Sequence, residues 1–378
     1  MQAKNKKIRF TGIVRKLIFI TNIGAIILLF ASHLAWHVSP LKTNLFSYIG
    51  LAFGAVLLLN ILYLLLWVLF SKWNLAAVSL LTMLLCYKPI LTFFPMHLFP
   101  KQAPDESIHI LTYNVQGFIN ERSKKTKDTP LLNYIADTDA DIVCMQEYLV
   151  SKTGESLKTQ RDVNRILNKY PYRSVTALKS SGKFHTYGLA CYSKYPIENT
   201  HEIVFNSSFN GAVVYTINID GKKVSVANVH LESNSITSED RELYGNFLLN
   251  VDGTNFEDVA SNIRNRLGRA YRTRVIQVTK VKEHLNNTAS DATVICGDFN
   301  DTPISYAYSK MKKGMKDAFA TSGFGPGISY HEDFFWFRID NIMHSPNMKA
   351  YQAKVDRVKY SDHYPMHAFL KWNEGRKD

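Results

Sequence analysis

Residues 17–36 and 46–70 contain no Lys, Arg, Asp or Glu. Each run is about 20 residues or longer, the length an α-helix needs to cross the hydrocarbon of a bilayer. The chain therefore does not read as one water-soluble domain from end to end. A third run, 73–94, is interrupted by Lys88 and Pro89. Lys88 can reach an interface along its aliphatic stem, which leaves a short but adequate span. The first run is too long for a cleaved leader and lacks a small-x-small site, so it reads as an anchor.

Charge gives these runs a direction. Residues 1–100 hold no acidic residue and nine basic ones: Lys4, Lys6, Lys7, Arg9, Arg15, Lys16, Lys42, Lys72 and Lys88. Six of the nine precede the first run, whereas the segment between the first two runs has only Lys42. That asymmetry places the N-terminus in the cytoplasm. Three crossings put everything after residue 105 outside, in the periplasm; if the third run instead lies along the interface, the remainder stays in the cytoplasm. Beyond residue 100 there are 36 of the 45 basic residues against all 32 acidic ones, a net of +4. The high pI thus belongs to the anchor and says little for nucleic-acid binding.

From about residue 105 the pattern changes to short apolar strands alternating with helices and turns. Strands are expected at 108–115, 141–145, 188–193, 212–219, 223–230, 292–296 and 339–344, which together imply a layered α/β domain. Cys144, Cys191 and Cys296 fall inside such stretches and Cys86 in the third run. They read as small buried hydrophobes, with no disulfide framework and no zinc site.

Polar residues gather where these strands stop. Asn114 closes the first and Glu147 follows the second. His230 ends the run ValSerValAlaAsnValHis, and Asp298 and Asn300 follow ValIleCysGly. Asp340 lies in ArgIleAspAsnIleMet, and Asp362 and His363 in TyrSerAspHisTyrPro. One such residue is ordinary turn chemistry. Together they offer hard oxygen ligands suited to Mg²⁺ or Mn²⁺, two imidazoles that exchange protons near neutral pH, and amide donors that add no charge to repel a phosphate. That set suits metal-assisted hydrolysis of a phosphate ester.

In order along the chain, ThrTyrAsnVal, MetGlnGlu, GlyLeuAlaCysTyrSerLysTyrProIle, AsnValHisLeu, GlyAspPheAsn, ArgIleAsp and SerAspHisTyrPro resemble the endonuclease/exonuclease/phosphatase superfamily. That group includes DNase I, abasic-site endonucleases, neutral sphingomyelinases and inositol polyphosphate 5-phosphatases. The resemblance implies a four-layer α/β sandwich with two facing mixed β-sheets, here preceded by N-terminal transmembrane helices. It implies Glu147 as principal metal ligand, with Asn114 and Asp362 in the same metal site. Asp298 would orient or deprotonate the attacking water, Asn300 and His363 would contact the phosphate, and Asp340 would fix the His363 ring. His230 stands where DNase I and the sphingomyelinases also have His and abasic-site enzymes tend to have Tyr. Gln116 departs from the pattern, since several DNA-repair members carry an acid there; a neutral amide weakens the case for a second tightly held ion.

The expected organisation is a basic cytoplasmic N-terminus (1–16), a membrane region of about three helices (17–95), a linker (96–106), the catalytic domain (107–372) and a tail (373–378). The expected activity is a membrane-anchored, divalent-metal-dependent phosphodiesterase or phosphatase. Its substrate is a phosphate ester: a lipid headgroup, a nucleotide or a nucleic acid. The bilayer is its other partner, and no protein partner is evident. An extracytoplasmic DNase I-like nuclease is the alternative. An inactive binding module is disfavoured because none of the eight polar positions is missing. A linker of about ten residues holds the domain near the bilayer, which favours membrane-associated substrates. Arg264, Arg266, Arg269, Arg272 and Arg274 crowd one predicted helix and read as a solvated face rather than a cationic wall. His185 and Tyr187 read either as rim residues or as ordinary loop residues.

Overall fold

The computed structural model describes residues 12–99, 101–119, 129–154, 158–234, 256–332 and 336–373. Residues 1–11 of the basic N-terminus, most of the acidic stretch after His230 and the tail from 374 lie outside them. The chain forms two units, Met1–Phe93 with Ile304–Tyr306, and Phe94–Pro303 with Ala307–Asp378.

In the first unit, α1 (Gly12–His33) continues through a short 3₁₀ turn to Trp36. It is one helix long and apolar enough to cross a membrane. The other two apolar runs are not the continuous spans expected. The second is α2 (Leu45–Leu51) and α3 (Phe53–Leu69), bent by 64°, and the third is α4 (Trp73–Leu85) and α5 (Tyr87–Phe93), bent by 69°. Gly50 and Gly54 bracket the first break, where helix propensity is poorest. At the second, Pro89 has no N–H for the preceding turn, a defect tolerated only in the first turn of a new helix. Two buried asparagines join α1 to α3: Asn60 Nδ2 donates to the Ala25 carbonyl (3.0 Å), and Asn22 Oδ1 accepts from Trp67 Nε1 (2.9 Å). Both bonds satisfy buried polar side chains between apolar helices.

The second unit is a sandwich of two six-stranded mixed sheets. The first runs β11-β12-β1-β2-β4-β3 and the second β5-β6-β7-β8-β10-β9. Their ranges are β1 Ile108–Asn114, β2 Ile142–Ser151, β3 Tyr172–Ala177, β4 His185–Ser193, β5 Ile197–Ile203, β6 Gly211–Ile219, β7 Lys222–His230, β8 Ala292–Asp298, β9 Lys316–Asp317, β10 Asp340–His344, β11 Met348–Val355 and β12 Met366–Trp372. Among the described strands, β1–β2 and β7–β8 pair in parallel. Between the sheets lies a core that includes Ile110, Cys144, Cys191, Val226, Cys296 and Ile342. The three cysteines there are free thiols packed as small hydrophobes.

Helices cover both outer faces. α6 (Pro130–Asp137) and α7 (Gln160–Ile166) bury Leu131, Ile135 and Val163 against the first sheet. α8 (Phe256–Asn286) and α9 (Tyr306–Lys312) bury Val278, Val281 and Met311 against the second. The result is the four-layer α/β sandwich. His185 and Tyr187 belong to β4 rather than to a loop before it.

One polar bridge crosses the apolar interior. Gln146 Nε2 of β2 donates to Asn228 Oδ1 of β7 (2.6 Å), and Asn228 Nδ2 donates back to the Met145 carbonyl (3.1 Å). Both side chains are fully buried.

Candidate active site

The parallel pairing of β7 with β8 sets His230 opposite Asp298, and the antiparallel pairing of β8 with β10 sets Asp298 opposite Asp340. Residues directly opposite one another in neighbouring strands share a face, so three of the expected side chains stand in a row at one edge of the second sheet. Gly297, at φ 131°, makes this arrangement possible: a Cβ there would run into the Val229 carbonyl of the neighbouring strand.

The first sheet supplies the facing group. Asn114 ends β1, and its Nδ2 donates to Glu147 Oε1 (3.1 Å) and to Asp298 Oδ2 (3.1 Å). Glu147 is not at a strand end, as expected, but inside β2. The β2–β4 register slips between Met145 and Tyr148, and Glu147 there adopts φ 52°. A bulge with a left-handed residue turns the side chain out of the alternating pattern, a strain found mainly at working sites.

The two histidines close the cluster. His230 Nδ1 donates to the Phe209 carbonyl (3.1 Å), which leaves Nε2 facing Glu147 Oε1 (3.6 Å) and Asp298 Oδ2 (3.8 Å). His363 Nδ1 is 2.7 Å from Asp340 Oδ2, and its Nε2 is 3.6 Å from Asp298 Oδ2. Asn300, at φ 51°, donates its N–H to Asp298 Oδ1 (2.7 Å) and its Nδ2 to the Leu231 carbonyl (2.9 Å). Asp362 is tied in through Ser361, whose hydroxyl lies 2.8 Å from the Asn114 carbonyl and 3.1 Å from Asp362 Oδ1. The structure thus brings all eight expected residues into one cluster. Gln116 lies beside it, its N–H donating to Asn114 Oδ1 (3.1 Å).

Burial and charge set the proton affinities. Burial pushes Asp298 up to about 6, with Asp340 adding to the rise and His363, His230 and the Asn300 N–H opposing it. Burial alone would depress His363, but Asp340, Asp298 and Asp362 outweigh it and hold the ring well above its ordinary value. Burial also raises Asp362, with His363 opposing and Glu147 adding to the rise. Tyr187 is raised by burial and then by Glu147 and Asp298, and its ring meets Phe209 edge-on at 5.7 Å.

The donor set suits a hard divalent cation. Asp298, Asp340 and His363 can each bring one ligand atom within 4.8 Å of the others, a group able to hold a metal. Asp340 and His363 are, however, committed to one another, and Asp298 already accepts three hydrogen bonds. Glu147 is 30% exposed, and only its Oε1 is engaged among the described residues. It keeps an oxygen for an ion, with the Asn114 and Asp362 oxygens nearby. Oxygen donors without thiolate fit Mg²⁺ or Mn²⁺ rather than zinc.

One buried polar position escaped the sequence. Arg274 was read within a solvated row, yet it is fully buried, pairs with Asp301 (3.3 Å), and donates to the Asn300 and Glu232 carbonyls. Arg264, Arg269 and Arg272 are exposed. The signal that could have separated Arg274 is its place beside Ala270, Tyr271, Val275 and Val278 on the buried face of α8.

Carboxylates, imidazoles and amides converging at one edge of a four-layer sandwich define a hydrolase of phosphate esters. Residues 111–363 match the model of the Endonuclease/Exonuclease/phosphatase family, and the chain belongs to that family. Residues 15–93 match a domain of unknown function, DUF8431. Among solved structures, an endonuclease/exonuclease/phosphatase family protein from Leptotrichia buccalis is 18% identical, covering 70% of this chain and 100% of that one, with a TM-score of 0.49. Truncated TDP2 from Caenorhabditis elegans is 18% identical, covering 71% and 99%, with a TM-score of 0.47. Sphingomyelinase C from Streptomyces griseocarneus is 18% identical, covering 70% and 99%, with a TM-score of 0.44. No curated protein sequence matched.

Proposed function

We propose that the chain is a membrane-anchored phosphodiesterase or phosphatase dependent on Mg²⁺ or Mn²⁺, with a catalytic domain spanning 107–372 outside the cytoplasm. The observation that carries the chemistry is the meeting of Glu147 and Asn114 from one sheet with His230, Asp298 and Asp340 from the other, around His363. Asp298 takes a proton from the attacking water, and its raised affinity near neutral pH suits a general base. Asn300 and His363 donate to the phosphate oxygens as negative charge builds. Asp340 holds His363 charged and oriented, and His230 Nε2 is placed to return a proton to the leaving oxygen. Asn114, Glu147 and Asp362 would hold the cation, which supplies charge against the phosphate oxygens when bound.

The anchor reading rests on α1 and on two bent helix pairs that each equal one span in length and composition. With six basic residues ahead of the apolar run at 17–36, three crossings export the domain. A reporter active only outside the cytoplasm, fused after Pro104, should be active. A silent reporter there, with a cytoplasmic one active at the same joint, would put the domain inside. The activity is tested with the full-length protein in detergent and Mg²⁺, against plasmid DNA, RNA, sphingomyelin, phosphatidylinositol phosphates and generic diesters. Hydrolysis of any lipid or generic ester that stops with Asp298→Asn supports the proposal. Cleavage confined to DNA or RNA favours an extracytoplasmic nuclease, and no hydrolysis across the panel sinks both.

A further inference from the structure

Asn300 sits in a backbone conformation that L-residues avoid, at φ 51°. Asn tolerates it better than most residues, yet does not hold it unaided. Its N–H and side-chain amide are engaged by Asp298 and Leu231. Its carbonyl accepts from Arg274 Nη1. The same Nη1 donates to the Glu232 carbonyl (3.0 Å), Nη2 donates to Asn234 Oδ1 (2.9 Å), and Nε lies 3.3 Å from Asp301 Oδ2. One guanidinium therefore joins the loop after β7, which follows His230, to the loop after β8, which carries Asn300. One turn further along α8, Gln277 Oε1 accepts from the Glu232 N–H (2.8 Å), so both backbone groups of Glu232 are held by the helix.

We propose that Arg274 is a positioning residue that fixes Asn300 in its left-handed form and so holds the Asn300 amide beside Asp298, at the edge where a phosphate would bind. This rests on the reading of Asn300 as a phosphate-contacting group. Three features argue against a merely structural role. Arg274 is fully buried, where a guanidinium is retained only with close partners. Its partners come from both site loops rather than from the core. The fork spreads its donors in one plane, which a lysine, with its donors at a single point, cannot reproduce.

The test uses the full-length protein in detergent with Mg²⁺ and bis(p-nitrophenyl) phosphate. Misplacing Asn300 removes an interaction made in the transition state, so Arg274→Lys should lower kcat about 10- to 100-fold while KM stays within about threefold. In an Asn300→Ala background the same change should lower kcat by no more than about twofold, because Arg274 acts through Asn300. A full loss in that background, or a KM effect with kcat unchanged, overturns the proposal. Hydrogen exchange gives a readout independent of turnover: residues 299–302 should exchange faster in Arg274→Lys while β8 stays protected, and unchanged exchange there also overturns it. If wild type leaves the diester intact, the phosphoesterase reading fails on that probe while exchange still decides the clamp. Should Arg274→Lys fail to fold, Asn234→Ala, which removes one anchor from a half-buried loop, is judged by the same exchange result.

Discussion

His363 and His367 stand on either side of the start of β12, both buried and both beside an aspartate, yet their protons behave in opposite ways. Burial opposes the charge on each. At His363 three carboxylates, Asp340, Asp298 and Asp362, overcome it and raise the ring. At His367 burial wins and pushes the ring down to about 3, since Asp356 is nearly its whole support while His109 and Lys354 oppose. Asp356 is already engaged by Lys354 (2.9 Å) and by the Tyr134 hydroxyl (2.9 Å). Asp340, by contrast, keeps Oδ1 without a hydrogen-bond partner among the described residues. A histidine beside an aspartate is thus not by itself a charged pair; what decides is how much carboxylate charge its neighbours have left uncommitted. The domain thus raises the proton affinity of the histidine in the candidate site and lowers that of the histidine packed against β1.

The largest way to break this comparison is to remove the cation. Chelation should abolish turnover and Mg²⁺ or Mn²⁺ should restore it, while near-ultraviolet circular dichroism stays unchanged; full activity in excess chelator rules the site reading out. Next comes Asp298→Asn, which removes charge from the His363 end alone. Turnover should fall about 10²- to 10⁴-fold through loss of the general base, with a thermal midpoint near that of wild type. Near wild-type turnover would reduce GlyAspPheAsn to a simple turn. His230→Ala and His363→Ala should fall in the same range.

At the other end the signature should invert. His367→Ala strands the bonds from His109 (2.9 Å) and Tyr134 (2.8 Å), and should lower stability by roughly 1–3 kcal/mol. Turnover should hold, and denaturant unfolding beside a kinetic assay separates the two outcomes. The smallest effect is in pH. Burial pushes His109 down to about 4 and His367 to about 3, so below about 6.5 the unfolded chain binds protons that the folded one refuses. Stability should therefore fall as pH drops from about 6.5 toward 4, by up to roughly 2.7 kcal/mol per pH unit for the two rings. In His367→Ala that slope should be shallower by about one proton, and an identical slope would show that His367 is not held neutral.

Much of this was legible in the sequence because most of the candidate site residues sit at or next to strand ends in motifs whose order the fold preserves. What was illegible depends on structure across a gap. The strands β3, β5, β9 and β11, none of them expected, are the four sheet edges. Edge strands need not be apolar, and β5, IleGluAsnThrHisGluIle, is exposed along most of its length. β12 is internal but carries His367 and Lys371, which break its apolar run. The bulge at Glu147 has no local signature, because it is a mismatch between β2 and β4 rather than a property of either. Arg274 looks like its four neighbours in the row until the helix is set against the second sheet. Lys88 and Pro89 flagged a weak third run, but length and hydropathy could not show that it bends.

The Gln146–Asn228 bridge bears on how the two sheets find one another. Apolar surfaces alone would let them meet in several offsets of similar energy, since Val, Ile, Cys and Ala fill one another's places without much penalty. Two interlocked amides do not slide. An offset by one residue would strand their donors and acceptors in a dry interior, at about 1–3 kcal/mol for each orphaned group. The bridge therefore penalises a misdocked sandwich by the groups it would strand. Because His230 follows Asn228 by two residues on β7 and Glu147 adjoins Gln146 on β2, the offset the bridge fits is the one in which the two halves of the candidate site face each other.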